Sequence, residues 1–244
     1  MGCVASTSRS QSMISFIFPA YNEAENLKRF PVEAVPVFER IGEPYEIIVV
    51  DDGSVDDTAA VARGLGERVR LVQHDRNRGL GVAIRTGIKE ARGDLVVTMD
   101  TDLTFSPSLV PLLLERFHRG DVDIVSGSPK LAGYGKDIPS YRVLVGKLST
   151  LVYSVIFGRK ITAVTPIFRL YRRADVVDLP LQSTGFDINA EILFYLVRRG
   201  KRVVEVPAML TQRVHGESKL DYQKEMKRHL RLVWRMVKMR LGWS

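Results

Sequence analysis

Residues 95–102 read LVVTMDTD, an apolar run that ends in two carboxylates, Asp100 and Asp102. The run at 95–99 is typical of a buried strand in a parallel sheet. In extended backbone Asp100 and Asp102 would share one face, because strand side chains alternate with a period of two. Carboxylates at the open end of such a strand indicate a site for a divalent cation and a ligand. A solvated turn before a helix at Ser106 is the alternative interpretation.

On both sides of this stretch, short apolar runs alternate with helical patterns. This alternation predicts an α/β fold with a mostly parallel central sheet flanked by helices. We expect a flexible arm at 1–12, one domain at 13–219 and a basic helix at 220–244. The predicted strands are 14–18, 46–50, 69–73, 95–99, 123–126, 169–171 and 202–206, and the predicted helices are 23–41, 56–65, 80–91, 106–119, 141–157 and 187–199.

The composition fits one globular domain with a substantial core. The chain has 244 residues, of which 45% are hydrophobic and 26% are charged. Its single cysteine, Cys3, excludes an internal disulfide and is compatible with a reducing compartment. Since no apolar run reaches the roughly 18 to 20 residues of a spanning helix, we predict no transmembrane segment.

Two motifs follow the first two predicted strands. In FPAYNE, residues 18–23, Tyr21 could stack on a nucleobase and Glu23 could accept hydrogen bonds from it. Alternatively, Asn22 caps the next helix and Glu23 favours its positive end. In VDDGS, residues 50–54, a second acidic pair reaches the same sheet edge, where a cation or a hydroxyl-rich ligand would offset the repulsion. A structural turn with Gly53 is the alternative.

A basic loop, RVHGESK at 213–219, follows the last predicted strand. Arg213 as a planar fork and Lys219 as a point charge could close over a diphosphate. A solvated basic loop explains the pattern equally well. His215 has no other histidine or cysteine at a matching spacing, so we do not predict zinc.

Together, five motifs resemble those of the inverting family-two glycosyltransferases with the nucleotide-diphospho-sugar transferase fold, a GT-A, Rossmann-like fold. Among these, the chain looks most like dolichyl-phosphate (polyprenyl-phosphate) mannosyltransferase catalytic domains. The resemblance runs from about residue 13 to 220, and its motifs lie at 18–27, 49–54, 77–81, 99–103 and 213–219.

The resemblance implies an enzyme that transfers a sugar to a polyprenyl phosphate with inversion at the anomeric carbon. Mannose from GDP-mannose is the first candidate for the transferred sugar. The resemblance also implies Mg²⁺ or Mn²⁺ held by Asp100 and Asp102, which would also be the catalytic residues. A UDP-sugar, a non-lipid acceptor or a non-catalytic sugar-nucleotide-binding subunit are the alternatives. The implied nucleotide-sugar contacts are Pro19, Tyr21, Glu23, Val50, Asp52, Asp100, Thr101, Asp102, Arg213 and Lys219.

The acceptor side departs from the family pattern. Pro129 stands where these enzymes commonly carry a phosphate-binding arginine, and Ala163 stands where they carry an acid. Lys130 or Arg142 could supply the missing cation, and Glu191 lies in the segment that usually faces the acceptor.

The segment from 219 to 244 carries eight Lys or Arg against Asp221 and Glu225, a net charge of +6. This basic amphipathic pattern predicts a helix on an anionic membrane surface, with packing on the domain as the alternative. A nucleic-acid partner is not predicted, because the sequence has no recognisable nucleic-acid-binding motif and the acidic sheet edge would repel phosphates. The apolar positions are Met226, Leu230, Val233, Val237 and Leu241, the cations are Lys224, Arg228, Arg231, Arg235 and Lys238, and Trp234 and Trp243 suit an interface.

These features predict a peripheral or monotopic protein on the cytoplasmic face of a membrane. Residues 1–6, MGCVAS, fit a myristoylation signal at Gly2, with Cys3 available for palmitoylation. Met13 is an alternative start. A membrane-anchoring subunit is a further candidate partner.

Overall fold

The computed structural model describes residues 12–133, 140–214 and 221–242, without the side chains of 140–147, 149 and 222. Within these ranges the chain forms one seven-stranded sheet. Its strands are β1 Ile14–Ala20, β2 Tyr45–Asp51, β3 Val69–Gln73, β4 Leu95–Thr98, β5 Ile124–Ser128, β6 Arg169–Arg172 and β7 Val203–Pro207.

Helices cover both faces of this sheet. They are α1 Ala24–Leu27, α2 Phe30–Glu33, α3 Val35–Arg40, α4 Thr58–Arg63, α5 Leu80–Glu90, α6 Val110–His118, preceded by a 3₁₀ turn at Pro107–Leu109, α7 Pro129–Ala132, α8 Ser140–Phe157, α9 Arg173–Val176, α10 Ile188–Arg198 and α11 Tyr222–Leu241.

The strand order is β3-β2-β1-β4-β6-β5-β7. Strands β3, β2, β1 and β4 are parallel, and so are β5 and β7, whereas β6 runs antiparallel to both of its neighbours. The predicted mostly parallel sheet is therefore confirmed. The order reverses at β1, between β2 and β4, and such a reversal opens a crevice at the carboxyl ends of the strands.

The core lies on both faces of the sheet, as alternation along β1 illustrates. Phe16 and Phe18 point into one hydrophobic cluster, and Ile17 points into the other. All three side chains are fully buried. Because helices cover both faces of the sheet, the inner strands are nearly continuous apolar runs. Such runs can be recognised as strands in the sequence.

The single helix predicted at 23–41 is wrong. The segment forms three short helices, α1, α2 and α3, and a proline lies at the start of the second and of the third. Pro31 and Pro36 fit a first helical turn, where their missing N–H costs nothing. In the interior of one long helix, each would remove a hydrogen bond and clash with the preceding turn.

Helix α11 packs on the domain through one face. Leu232 and Met236 are fully buried, and the Tyr153 hydroxyl on α8 lies 2.6 Å from Nδ1 of His229. Met226, Leu230, Trp234 and Leu241 remain exposed, whereas Val233 and Val237 of the predicted apolar row are half-buried. Among the described residues, no helix is both long and apolar enough to span a bilayer.

Candidate functional site

A cleft of about 350 Å³ opens at the carboxyl ends of β1, β2 and β4. Asp100, Thr101 and Asp102 line it from the turn after β4. The segment after β1, the start of α5, the loop before α10 and the first turns of α11 also contribute to its lining. Four regions that are remote in sequence thus surround the two carboxylates.

The two aspartates lie in a turn and not in an extension of β4, which ends at Thr98. Thr104 donates its backbone N–H to Oδ1 of Asp102 at 3.0 Å, and Thr101 donates its hydroxyl to the Pro19 carbonyl at 2.8 Å. Leu103 has a φ of 56°, in the left-handed region that a branched apolar residue rarely adopts. The turn is therefore held by the surrounding fold in a conformation that its own sequence does not favour.

The pKa of Asp100 is raised by its surroundings. Desolvation in the cleft, together with the nearby carboxylate of Asp102, raises its pKa from 3.8 to about 8. A divalent cation between the two carboxylates would relieve this repulsion, and their oxygens are donors that Mg²⁺ and Mn²⁺ accept. The described residues contain no cluster of three or more metal-ligating side chains. The pair therefore fits an ion that takes its remaining ligands from phosphate and water.

Arg213 joins this pair from the segment after β7. Its Nε lies 2.5 Å from Oδ2 of Asp102. Thr211 donates both its backbone N–H and its hydroxyl to the Thr104 carbonyl, at 2.9 and 3.0 Å, and so ties the segment to the aspartate turn. Arg213 thus lies beside the acidic pair, and its contact with a diphosphate stays a prediction. Lys219 lies outside the described residues.

Asp52 lines the cleft, but its carboxylate also organises the neighbouring loop. Its oxygens accept the backbone N–H groups of Arg78 at 3.0 Å and Gly79 at 2.7 Å. His74 Nδ1 donates to the same carboxylate at 2.6 Å. The structural turn weighed for this motif is formed by Asp51, which accepts the Ser54 N–H at 2.9 Å. Asp51 therefore has the structural role, and a ligand contact of Asp52, which also lines the cleft, stays a prediction.

The segment after β1 places Pro19, Tyr21 and Glu23 along the cleft. Asn22 does not cap helix α1: Glu23 occupies the cap position, and the Asn22 side chain accepts the Val55 N–H at 2.9 Å. Val50, predicted to contact the nucleoside, has a fully buried side chain in the core and does not line the cleft.

Gly79 and Gly81 allow the loop before α5 to approach the segment before α10. A Cβ at Gly79 would lie 2.3 Å from the Thr184 carbonyl oxygen, and one at Gly81 would lie 2.5 Å from that of Ser183. Gly79 also has a φ of +98°. Only glycine fits such a contact in that backbone conformation. The two glycines of the motif at 77–81 thus have a definite packing role.

Two of the three residues predicted for the acceptor, Lys130 and Glu191, do not line the cleft. Glu191 is fully buried, where it accepts the N–H groups of Gln182 and Ser183 and lies 3.2 Å from Arg235. Its predicted acceptor contact is therefore replaced by a structural role. Lys130 is exposed and does not line the cleft. Arg142 lies in the first turn of α8, and its side chain is outside the described part of the chain.

Helix α11 also contributes Lys224, Glu225 and Arg228 to the cleft, a position that the basic amphipathic pattern does not predict. Glu225 accepts the Phe186 N–H at 2.9 Å and forms an ion pair with Arg228. These contacts hold the start of α11 beside the cleft. The sequence shows a helix cap at Asp221, whose side chain accepts the Lys224 N–H, but no local signal that this helix borders the site.

The comparison with protein families gives one match that covers most of this domain. A model described as glycosyl transferase family 2 matches residues 15–179. Among curated proteins, a dolichol-phosphate mannosyltransferase of Pyrococcus furiosus is 37% identical over 238 residues, which cover 92% of this chain and 64% of that protein. An undecaprenyl-phosphate 4-deoxy-4-formamido-L-arabinose transferase of Sodalis glossinidius is 31% identical over 219 residues, 86% of this chain and 64% of that protein. The chain thus spans 64% of the length of these relatives.

Solved structures confirm the predicted GT-A fold. Glucosyl-3-phosphoglycerate synthase of Mycobacterium tuberculosis, in complex with Mn²⁺, UDP and glucosyl-3-phosphoglycerate, superposes with a TM-score of 0.72 at 20% identity. The match covers 96% of this chain and 81% of that one. A second structure of the same enzyme, with Mg²⁺ and UDP, gives a TM-score of 0.70 at 21% identity.

Proposed function

Because the chain belongs to glycosyl transferase family 2, we propose that it transfers a sugar from a nucleoside diphosphate sugar to the phosphate of a polyprenyl lipid. Mannose from GDP-mannose is the first candidate donor. The two curated relatives support the acceptor class, since one is named for dolichol phosphate and the other for undecaprenyl phosphate. Their names differ in the sugar, so the acceptor class has broader support than the donor.

One observation carries the proposal. The cleft combines an acidic pair, Asp100 and Asp102, with the cation of Arg213 at the switch point of the sheet. A sugar nucleotide needs this combination at its diphosphate, because the leaving group gains negative charge as the glycosidic bond breaks. Oriented cations that meet this charge stabilise the transition state more than the ground state.

In this proposal Asp100 and Asp102 hold Mg²⁺ or Mn²⁺. When bound, the ion would neutralise charge on the departing nucleoside diphosphate, a contribution worth several kcal/mol. Arg213 would bind the diphosphate after exchanging its carboxylate partner for a phosphate. Such an exchange conserves a charge-assisted hydrogen bond.

The base and ribose would lie against the segment after β1. Tyr21 offers an aromatic face and Glu23 a carboxylate, and both line the cleft. Asp52 holds the backbone of Gly79 at the same wall, so it shapes this part of the cleft whether or not it also touches the nucleoside.

The chemistry proposed is a single displacement with inversion. A phosphate oxygen of the acceptor forms a bond to the anomeric carbon while the bond from that carbon to the donor diphosphate breaks. The bonding electrons leave with the nucleoside diphosphate. Since the acceptor phosphate is already an anion, no strong general base is required.

Helix α11 supports attachment to a membrane surface. Its exposed side carries Met226, Leu230 and Trp234, with exposed fractions of 52%, 61% and 57%. Arg231 on the same helix is also exposed. An apolar row beside cations favours the interface of an anionic membrane. Helix α8, which packs against α11, adds a second exposed row at Leu148, Leu151, Val152 and Val155.

Lipidation at Gly2 and Cys3, and a membrane-anchoring subunit, remain predictions. Gly2 and Cys3 lie outside the described residues. The cytoplasmic face is likewise proposed from the acceptor class of the relatives and from the anionic-surface chemistry of α11.

The test is an isotope-transfer screen. GDP-mannose, UDP-glucose and other labelled nucleotide sugars would be offered to a polyprenyl phosphate, with and without Mg²⁺ or Mn²⁺. Metal-dependent transfer of mannose to the lipid phosphate is the expected result. Transfer only to a soluble acceptor would replace the lipid assignment, a candidate favoured by Pro129, whose position offers no cation. Binding of a sugar nucleotide without any transfer would favour a non-catalytic subunit.

A further inference from the structure

The cations of the cleft are divided between two places. Arg213 pairs with Asp102 beside the acidic turn. Lys224 and Arg228 line the cleft from helix α11, together with Gly185 and Phe186. In the proposed function Arg213 serves the donor diphosphate, since it pairs with Asp102, a proposed metal ligand. Lys224 and Arg228 have no ligand in the proposed function.

An acceptor phosphate needs cations that the expected positions do not supply. Pro129 starts α7 and is buried, and Lys130 beside it does not line the cleft. Glu191 is occupied inside the fold by backbone N–H groups and Arg235. Among the described parts of the chain, the basic side chains that line the cleft are Arg213, Lys224 and Arg228.

Lys224 and Arg228 lie one turn apart on α11 and therefore on one face of the helix. Lys224 is exposed, and within the described ranges no carboxylate lies within ion-pairing distance of it. Arg228 is 21% exposed and is held by Glu225, which in turn accepts the Phe186 N–H. One cation is thus available to a ligand, and the other is fixed at the wall of the cleft.

We propose that Lys224 and Arg228 bind the phosphate of the acceptor lipid, a proposal that rests on the function proposed above. Lys224 would act as the point charge that meets the anionic phosphate, and Arg228 would present its remaining N–H donors. The pair thereby supplies the cationic contact that Pro129 does not provide.

The rest of α11 fits a lipid that carries such a phosphate. Met226 and Leu230 follow Lys224 along the helix and are exposed. Because Lys224 and Arg228 line the cleft while this apolar row is exposed, a phosphate at Lys224 and a polyprenyl chain in the bilayer could be served by the same helix. Membrane attachment and acceptor binding would then be coupled through one element.

A binding experiment with the full chain distinguishes whether Lys224 and Arg228 bind the phosphate of the acceptor or the diphosphate of the donor. Calorimetry would measure farnesyl phosphate, farnesol and GDP with wild-type protein and with Lys224→Ala, Lys224→Glu and Arg228→Lys. Lys227→Ala is the matched control, since Lys227 is an exposed cation on the same helix that does not line the cleft. Arg228→Lys is chosen because it retains the positive charge, whereas truncation to alanine would remove the ion pair with Glu225 and could disturb the fold.

We expect Lys224→Ala to weaken farnesyl phosphate binding by roughly tenfold to a hundredfold, the range for losing one charge-assisted contact. Lys224→Glu should weaken it further, and GDP and farnesol binding should change less than about twofold on the same scale. In transfer assays the acceptor KM should rise while the donor KM stays constant.

Three outcomes overturn the proposal. If Lys224→Ala binds farnesyl phosphate as well as Lys227→Ala does, the acceptor phosphate lies elsewhere and the proposed function stands. If GDP binding falls as much as farnesyl phosphate binding, Lys224 serves the donor diphosphate. If the wild-type protein neither binds nor glycosylates a polyprenyl phosphate but transfers sugar to a soluble acceptor, the proposed function fails together with this assignment.

Discussion

The Nε atom of Arg213 lies 2.5 Å from Oδ2 of Asp102. The cation that is predicted to bind a diphosphate is therefore paired with a predicted metal ligand. The pair links the acidic turn after β4 to the segment after β7. An incoming metal and diphosphate would separate the two charges and provide each with a new partner.

Arg213→Ala should weaken GDP binding about tenfold or more, the range for a charge-assisted contact, while guanosine binding stays nearly constant. The difference should shrink with added salt, because the side chain is 31% exposed. Calorimetry of both ligands measures this, and Arg213→Lys should recover part of the loss. Equal losses for GDP and guanosine would place Arg213 at the base or in the fold.

Asp100→Ala and Asp102→Ala should each reduce metal-dependent transfer by roughly a hundredfold or more, because charge stabilisation at the leaving group is lost. The Asp100 variant should keep its Tm, since its removal relieves repulsion with Asp102. The Asp102 variant should melt lower, because Arg213 and the Thr104 N–H lose their acceptor. Asp121→Ala, which removes an exposed surface carboxylate, is the control. Near-normal transfer by both cleft variants would contradict the site.

Gly79→Ala should destabilise the protein and weaken nucleotide binding. Its Cβ would lie 2.3 Å from the Thr184 carbonyl oxygen, and the φ of +98° is strained for alanine. Gly42→Ala is a matched control, because Gly42 has a φ of +76° but no atom within 4 Å of an added Cβ. Thermal melting should show a larger drop for Gly79→Ala than for Gly42→Ala. Similar drops would mean that backbone strain alone decides the effect.

Leu230→Asp should reduce binding to phosphatidylglycerol vesicles by roughly tenfold, the loss expected for one apolar side chain at a membrane interface. Leu230 is 61% exposed, and the change should leave the fold intact. Val32→Asp alters an exposed apolar side chain on α2, 79% exposed, and should bind like wild type. Vesicle sedimentation measures both variants. If Leu230→Asp also bound like wild type, the apolar row of α11 would not face the membrane.

The contact between Tyr153 and His229 should make the docking of α11 sensitive to pH. Burial lowers the pKa of His229 below its usual 6.5, so the folded state favours the neutral ring. This stabilisation is present above pH 6.5 and is lost as the pH falls below it, since the unfolded state then binds a proton that the folded state resists. Urea unfolding at several pH values should show this decline, and His229→Gln should flatten it. An unchanged slope in the variant would remove His229 as its cause.

The local sequence pattern was sufficient to predict most strands of the sheet. The strand at 69–73 was predicted with the ends that β3 has, and the aspartates after β4 lie at the predicted edge. Both results follow from short-range rules: short runs rich in β-branched and apolar residues between helical patterns form strands, and parallel strands bring their carboxyl ends to one edge. The family motifs were also local, since each lies within a few residues of a strand end.

Contacts between distant residues decided the remainder. The amphipathic pattern at 220–244 predicted a helix, but only packing showed that Leu232 and Met236 are buried while Met226 and Leu230 are exposed. Packing buried Glu191 against Arg235, and long-range contacts such as the hydrogen bond from Phe186 to Glu225, 39 residues apart, place the start of α11 at the cleft. Periodicity fixes which side chains share a face of an element, whereas the surface that this face meets depends on residues far away in the chain.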